Sequence, residues 1–282
     1  MRDVDTLATA AHAEEYRERG FAVLRGVFRP DEVAEMAAAF DRQRDEGLRH
    51  PRDFRHGNLM VRVGEDPALG KVVKMVQWPS YADPVLARYR TDPRLLASVA
   101  PLIGTDVKQI INQLHWKPAG GLASDFALHQ DARFRKPREC YRNLGASYVQ
   151  TGIAIDPHTP ESGAMRVLPG SHLMGEIDLG SSAIMGQGTG EEALVRAGLD
   201  PAALVDLVLE PGDVALWSPY TIHGSGRNRA ARDRRFYLNG YVRAEDCDRG
   251  EWAWRGGEPQ ALGEPVLVHF EQLPERPGPH YP

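Results

Sequence analysis

Residues 209–235 read LEPGDVALWSPYTIHGSGRNRAARDRR. Pro211-Gly212-Asp213 is a turn. Asp213–Trp217 behind it is an apolar run of strand length. His223 follows, and then Gly224, Ser225 and Gly226, small residues that let backbone and ligand approach closely. A basic stretch leads to a second apolar run, Phe236–Val242. Turn, strand, histidine, small residues and strand again place His223 at the mouth of a β-structure.

The same punctuation recurs upstream. Strand-like runs occur at Val107–Trp116, Ala146–Ile155, Ala164–Leu168 and Val205–Leu209, and downstream at Val266–Phe270. Pro118-Ala-Gly-Gly121, Pro157-His-Thr-Pro160 and Pro169-Gly170 separate them. Short strands divided by turns predict a sandwich or barrel. Before Gly104 the character is helical. Residues 8–19 and 30–46 read as amphipathic helices, the second capped by Asp31, with Val33, Met36, Ala37 and Phe40 on one face. Phe21–Gly26 reads as a short strand, 47–70 as a long polar loop, and 84–103 as helix with a break near Pro101. The expectation is one domain over 1–282, with 1–104 mostly helical support and 105–282 the β core.

Composition narrows the function. The chain has 282 residues, enough to bury a sizeable core. A net charge of -5 argues against a duplex nucleic-acid partner. No run of 18 apolar residues exists, so no membrane span is expected. The first 20 residues carry early acids and no apolar centre, unlike a secretory signal. Cys140 and Cys247 are the only cysteines and form no C-x-x-C pair, which argues against thiolate zinc and a disulfide framework. A reducing cytoplasm fits, with a small-molecule substrate; oligomeric state is not readable. Gly180–Gly190, GSSAIMGQGTG, reads as a flexible surface loop or a lid beside the site. It lacks the Gly-Lys-Ser/Thr of a phosphate loop.

His129 and Asp131, in SDFALHQDARF, sit two apart, so an extended strand projects both from one face. Alone, H-x-D occurs by chance in many chains. His223 supplies a third ligand. Two histidines and one carboxylate with open positions suit non-haem Fe(II) that activates O2. Zinc could use the same ligands but needs only four positions. Arg234 lies 11 residues past His223 and re-enters on the next strand, facing the same mouth. A guanidinium pairs with a carboxylate, and Ser225 adds a hydroxyl. This equipment would hold a dicarboxylic 2-oxo acid, one end on iron and the other on Arg234.

With these segments in view, the sequence resembles the phytanoyl-CoA dioxygenase family of Fe(II)/2-oxoglutarate-dependent oxygenases. YRERGFAVLRGVFRPDEVAEM is similar to the family's opening, LHWKPAGG with ALHQD to its first metal segment, ESGAMRVLPGSHLMGE to its central stretch, and residues 209–235 to its second metal segment. The resemblance implies a double-stranded β-helix, or jelly roll, with helices buttressing one sheet. It implies iron at His129, Asp131 and His223, and 2-oxoglutarate and O2 as cosubstrates. It implies 2-oxoglutarate held by Arg234 with Ser225, and contacts from Gln130, Gln113 and Lys74. Gln150 departs from the aromatic residue of the best-known members. Asp131 favours hydroxylation or another oxidation over halogenation, which replaces the carboxylate with a small residue.

Other residues have plainer readings. His172 reads as structural, and Trp217 as core. Trp116 reads as core or pocket wall, and His115 as pocket-lining or as a packed strand residue. Of Arg227, Arg229, Arg232, Arg234 and Arg235, one reads as functional and the rest as solvated. Phe134, Arg133 and Arg135 occupy positions where the family contacts substrate, and their side chains suggest a polar or anionic one. No CoA-binding signature is visible, which favours a small metabolite over an acyl-CoA. The competing readings are a non-catalytic metal or 2-oxo-acid-binding jelly roll and a zinc hydrolase on a similar barrel.

Overall fold

The computed structural model describes residues 10–180, 184–186 and 188–265. The run expected as a strand at 266–270 lies outside them. Helix α1 (Ala10–Arg19) leads through β1 (Phe21–Leu24) to α2 (Pro30–Gly47). Three strands follow: β2 (Phe54–His56), β3 (Leu59–Asp66) and β4 (Gly70–Gln77). Helices α3 (Pro84–Tyr89) and α4 (Pro93–Ile103) complete the first part. Then come β5 (Val107–Lys117), β6 (Phe126–His129), β7 (Tyr148–Ala154), β8 (Met165–Val167) and β9 (Val205–Asp206). The last described strands are β10 (Val214–Trp217), β11 (His223–Ser225), β12 (Arg234–Arg243), β13 (Glu251–Arg255) and β14 (Glu258–Pro259).

The strands form two antiparallel sheets. The larger runs β1-β10-β7-β12-β5-β4-β3-β2, with β13 and β14 attached at β5. The smaller runs β6-β11-β8-β9. They face each other as a jelly roll, with the helices on the outer face of the large sheet.

The stretch 47–70 is corrected here. It was expected as a loop, but most of it belongs to a meander that extends the large sheet. Glu65 and Lys71 are exposed, Arg62 pairs with Asp53 and lines a cavity, and Asp66 is buried, while Leu59, Val61 and Val73 enter the main core. The part before Gly104 therefore supplies four strands as well as helices.

Two other expectations change. The residue preceding α2 is Arg29, whose backbone N–H donates to Glu32 at 2.8 Å; Asp31 sits in the first turn. Pro101 lies within the last turn of α4 without breaking it, and Gly104 ends the helix at φ 82°. The expected face of α2 packs inward: Met36 and Phe40 are fully buried and Val33 nearly so. Phe40 meets Trp116 edge-on at 5.1 Å, on the outer face of the sheet. Burying such a side chain stabilises by about 1.5–3 kcal/mol. Trp116 is thereby core; it edges a small crevice beside Lys74 and stands outside the larger cavity.

Strand β7 is buried along its whole length because both faces of the sheet are covered. Its inner face meets a second core, with Phe21, Ala154, Val167, Trp217 and Phe236 between the sheets. The cavity opens beside this inner core.

Candidate metal centre

Strands β6 and β11 pair antiparallel, and their register sets His223 opposite His129. The imidazole centroids are 4.3 Å apart. Gln130 continues the extended backbone (φ -114°, ψ 132°), and Asp131 opens a short 3-10 turn, Asp131–Phe134. The carboxylate thus returns to the face of the two imidazoles. Nε2 of His129 lies 3.8 Å from one Asp131 oxygen, and Nε2 of His223 lies 3.8 Å from the other. The donor atoms all fall within 4.8 Å of one another.

The donors fit a divalent ion. Each histidine Nδ1 lies against a backbone carbonyl, Ala127 O at 2.7 Å and Thr221 O at 2.9 Å. That bond places the proton on Nδ1 and leaves the Nε2 lone pair aimed inward. Trp217 Nε1 donates to Asp131 Oδ2 at 3.0 Å and orients the carboxylate. Trp217 was read as core; it is buried, and its indole N–H also serves the site. Burial alone would raise the Asp131 pKa, but His223, His129, Arg135 and the Trp217 bond hold it below its usual value. Burial, and then His223, push His129 down to about 3, so it stays neutral. A neutral His129 beside an ionised Asp131 is the protonation pattern a metal requires.

A cavity of about 340 Å³ opens on this cluster, within the range of small-molecule sites. Its floor follows from strand register. On β12 Arg234, Phe236 and Leu238 stand opposite Lys117, His115 and Gln113 of β5, on one face. Gly152 of β7 lies under the Phe236 ring, where a Cβ would collide with it. Gln113, His115, Phe134, Arg135 and Arg234 all line the cavity. The Phe134 and His129 rings meet edge-on at 5.7 Å. His115 Nε2 lies 3.0 Å from Gln113 Oε1, and burial followed by Arg234 pushes the imidazole down to about 3.

Arg234 is 4% exposed. Its Nη2 donates to Gly163 O at 2.8 Å, while its Nε is buried without an acceptor. Burial pushes its pKa down to about 9, the mark of a cation awaiting an anion. Arg235, next in sequence, instead forks onto Asp156 with two bonds of 2.9 Å.

Four expected contacts lie elsewhere. Gln130 turns away from the cavity: its amide nitrogen donates to Gly175 O and Tyr220 O, and its oxygen accepts from Ile177 N. It anchors loops instead of facing the cosubstrate, because i+1 on an extended chain points to the opposite face. Lys74 lines a small neighbouring crevice with Phe126 and Met185. Ser225 does not line the cavity; its carbonyl lies 3.4 Å from Lys117 Nζ. The Arg133 guanidinium lies over the Phe134 ring at 5.3 Å, outside the cavity wall. His172 bonds the Arg17 carbonyl at 2.9 Å and fastens its loop to α1, the structural role expected.

Lys117 was missed. It is 1% exposed, its Nζ also donates to Gly226 O, and it forms no ion pair among the described residues. The i, i+2, i+4 spacing of Gln113, His115 and Lys117 was the available signal. Ile184 and Met185, from the Gly-rich segment, also line the cavity. Ala127 N donates to Ile184 O at 2.7 Å and Leu128 N to Thr189 O at 2.8 Å, so this segment lies along β6. A shallow hollow around Lys108, Trp252 and Arg255 contains none of the triad.

Known proteins share this arrangement of sequence. Residues 16–236 match the phytanoyl-CoA dioxygenase (PhyH) family. A probable alpha-ketoglutarate-dependent hypophosphite dioxygenase of Stutzerimonas stutzeri is 26% identical over 243 residues, covering 84% of this chain and 79% of that protein. The peroxisomal phytanoyl-CoA dioxygenase of Rattus norvegicus is 27% identical, covering 83% of this chain and 66% of that protein. In three dimensions, EctD from S. alaskensis, solved with 2-oxoglutarate and 5-hydroxyectoine, superposes with a TM-score of 0.63. It is 22% identical and covers 93% of this chain and 89% of its own, a likeness of fold. A family match over most of the chain, carrying both metal segments, makes this protein a member of the phytanoyl-CoA dioxygenase family.

Proposed function

We propose that this protein is an Fe(II)- and 2-oxoglutarate-dependent dioxygenase that hydroxylates a C–H bond of a small-molecule substrate. The observation that carries the reading is the placement of His129, Asp131 and His223 in one cavity with Arg234, a cation that forms no ion pair among the described residues. Iron and 2-oxoglutarate, when bound, supply an oxidant that places one atom of O2 in the substrate and one in succinate, with loss of CO2.

The chain's own part is binding and order. His129, Asp131 and His223 would hold the ion. The carbonyls of Ala127 and Thr221 fix the imidazole tautomers, and Trp217 fixes the carboxylate. Arg234 would pair with the far carboxylate of 2-oxoglutarate. Phe236, Trp217 and Met165 line the cavity with apolar surface and exclude water. Asp131 occupies the position that a halide would need, which favours hydroxylation. The unpaired thiols of Cys140 and Cys247 support a reducing, cytoplasmic setting.

The test is succinate formation and O2 uptake with Fe(II) and 2-oxoglutarate. Wild-type protein is expected to turn over 2-oxoglutarate, and His129→Ala and Asp131→Ala to lose metal binding and turnover together. Full activity in either variant, or activity without O2, would remove the assignment.

A further inference from the structure

Arg135 ends the 3-10 turn that begins at Asp131, and it is 6% exposed. It lines the cavity. Its Nη2 donates to the Tyr148 hydroxyl at 3.1 Å, and its guanidinium lies 5.1 Å from the centre of that ring. Its Nε is buried without an acceptor. Among the described residues it forms no ion pair; Asp131 is turned to the two imidazoles and to Trp217. Asp131 lies near enough to favour the guanidinium's charge without bonding it, and burying a guanidinium without a full set of acceptors is costly.

Arg90 shows what a structural arginine looks like in this fold. It is 1% exposed, and its Nε, Nη1 and Nη2 donate to Gln109, Gln260 and Trp252 at 2.7, 2.9 and 2.7 Å. Arg135 has no such set. It is nevertheless held in place. The Tyr148 hydroxyl donates to Gln150 Oε1, and Gln150 Nε2 donates to Thr151 O at 3.2 Å. Gly240 makes room for this relay, since a Cβ there would collide with the Tyr148 hydroxyl.

The cosubstrate does not satisfy Arg135. Gln150 pairs with Gly240, six residues along β12 from Arg234, or on the order of 20 Å of strand. A five-carbon dicarboxylate whose far carboxylate pairs with Arg234 keeps that charge at the Arg234 end of the cavity. Charge gives the same answer. A divalent ion, Asp131 and a dianionic cosubstrate together carry one net negative charge. Arg234 and Arg135, two guanidinium groups that line the cavity and form no ion pair among the described residues, set two positive charges against it, so an anion is still wanted. Ile111 and Leu238 supply apolar wall to the cavity.

We propose that Arg135 binds the anionic head of the substrate, a small organic acid with a short apolar body and a carboxylate or phosphonate group. This rests on the dioxygenase reading above. The guanidinium fork matches either head. The head then lies a few bonds from the carbon presented to the metal, and Arg135 fixes which carbon that is.

The test uses the full chain loaded with Zn(II), a redox-inert stand-in for iron, and 2-oxoglutarate. Stabilisation by these two is measured first by thermal unfolding; its absence would count against the dioxygenase reading and not against Arg135. Propionate and methylphosphonate are then titrated beside their neutral counterparts, propionamide and dimethyl methylphosphonate. At least one anion is expected to bind saturably and about tenfold or more tighter than its neutral partner. Which anion does so separates the two heads. Arg135→Gln is expected to lose this preference while keeping 2-oxoglutarate affinity, and Arg135→Lys to keep part of it. Because Arg135→Lys retains the charge, it reports even where Arg135→Gln folds poorly. No saturable binding of either anion by wild type, equal binding of the neutral molecules, or an undiminished preference in Arg135→Gln would each overturn the proposal.

Discussion

Trp217 donates its indole N–H to the carboxylate of Asp131 at 3.0 Å, from the end of a different sheet. A core residue of the large sheet therefore sets the angle of an acid beside the small one. Trp217→Phe keeps most of the buried ring but deletes this bond. Metal affinity is expected to fall by about 10–100-fold, with the fold retained. Calorimetric titration with Zn(II) or Fe(II) checks this; unchanged affinity would show that the bond does not orient the ligand.

Arg234 faces the cavity and donates to Gly163 O, its one acceptor among the described residues. Arg234→Gln removes the charge without opening a large void. Binding of 2-oxoglutarate is expected to weaken by about 2–5 kcal/mol, as for loss of one partner of a buried charge pair. The metal affinity of the protein without 2-oxoglutarate is expected to hold. Equal losses of both would point to a structural role.

His115 and His158 give the metal-free protein an acid sensitivity. Burial, followed by Arg234, pushes His115 down to about 3, and His158 shifts downward for the same reasons. Unfolded imidazoles titrate near 6.5. Above that pH neither state takes a proton, so stability is flat. Below it the unfolded chain binds protons that the folded chain refuses, so stability falls. The slope is about 1.4 kcal/mol per pH unit for each histidine. Urea unfolding between neutral pH and pH about 5 reads this. His115→Gln is expected to remove one proton's worth of slope, and an undiminished slope would contradict the assignment.

Gly152 admits the Phe236 ring against the β7 backbone. Gly152→Ala drives a methyl group into that ring and is expected to destabilise by about 1–3 kcal/mol. Phe236 also lines the cavity, so 2-oxoglutarate affinity is expected to fall as well. A melting temperature equal to wild type would show that the floor yields at no cost.

The β core was legible because its strands are punctuated. Pro211-Gly212-Asp213 and Pro118–Gly121 bracket apolar runs, and β10 and β5 lie where those runs predict. The meander β2–β4 was not legible, because Arg55, Arg62, Glu65 and Lys71 interrupt its apolar residues and disguise a one-sided strand as a polar loop. At the metal centre the spacing of His129 and Asp131 pointed to a shared face. Nothing in the sequence sets His223 opposite His129, since that is a matter of register between strands 94 positions apart. Gln130 shows the converse: a neighbour of two candidate ligands whose amide is spent on three loop backbone groups. Trp217 was hidden because a core tryptophan carries no motif of its own, and Lys117 showed only through its alternation with Gln113 and His115.

The cross-strand pairing of His129 with His223 has a consequence for the chain as a polymer. An ion shared by these residues ties two points of the backbone together and closes a ring that contains β7, β8, β9 and β10. A tie across so long a segment removes loop entropy from the unfolded chain, as a disulfide of that span would. Unlike a disulfide, this clasp can be withdrawn by a chelator and restored by adding the metal. The resistance of the protein to heat is thereby coupled to its iron loading, independently of whether it turns over.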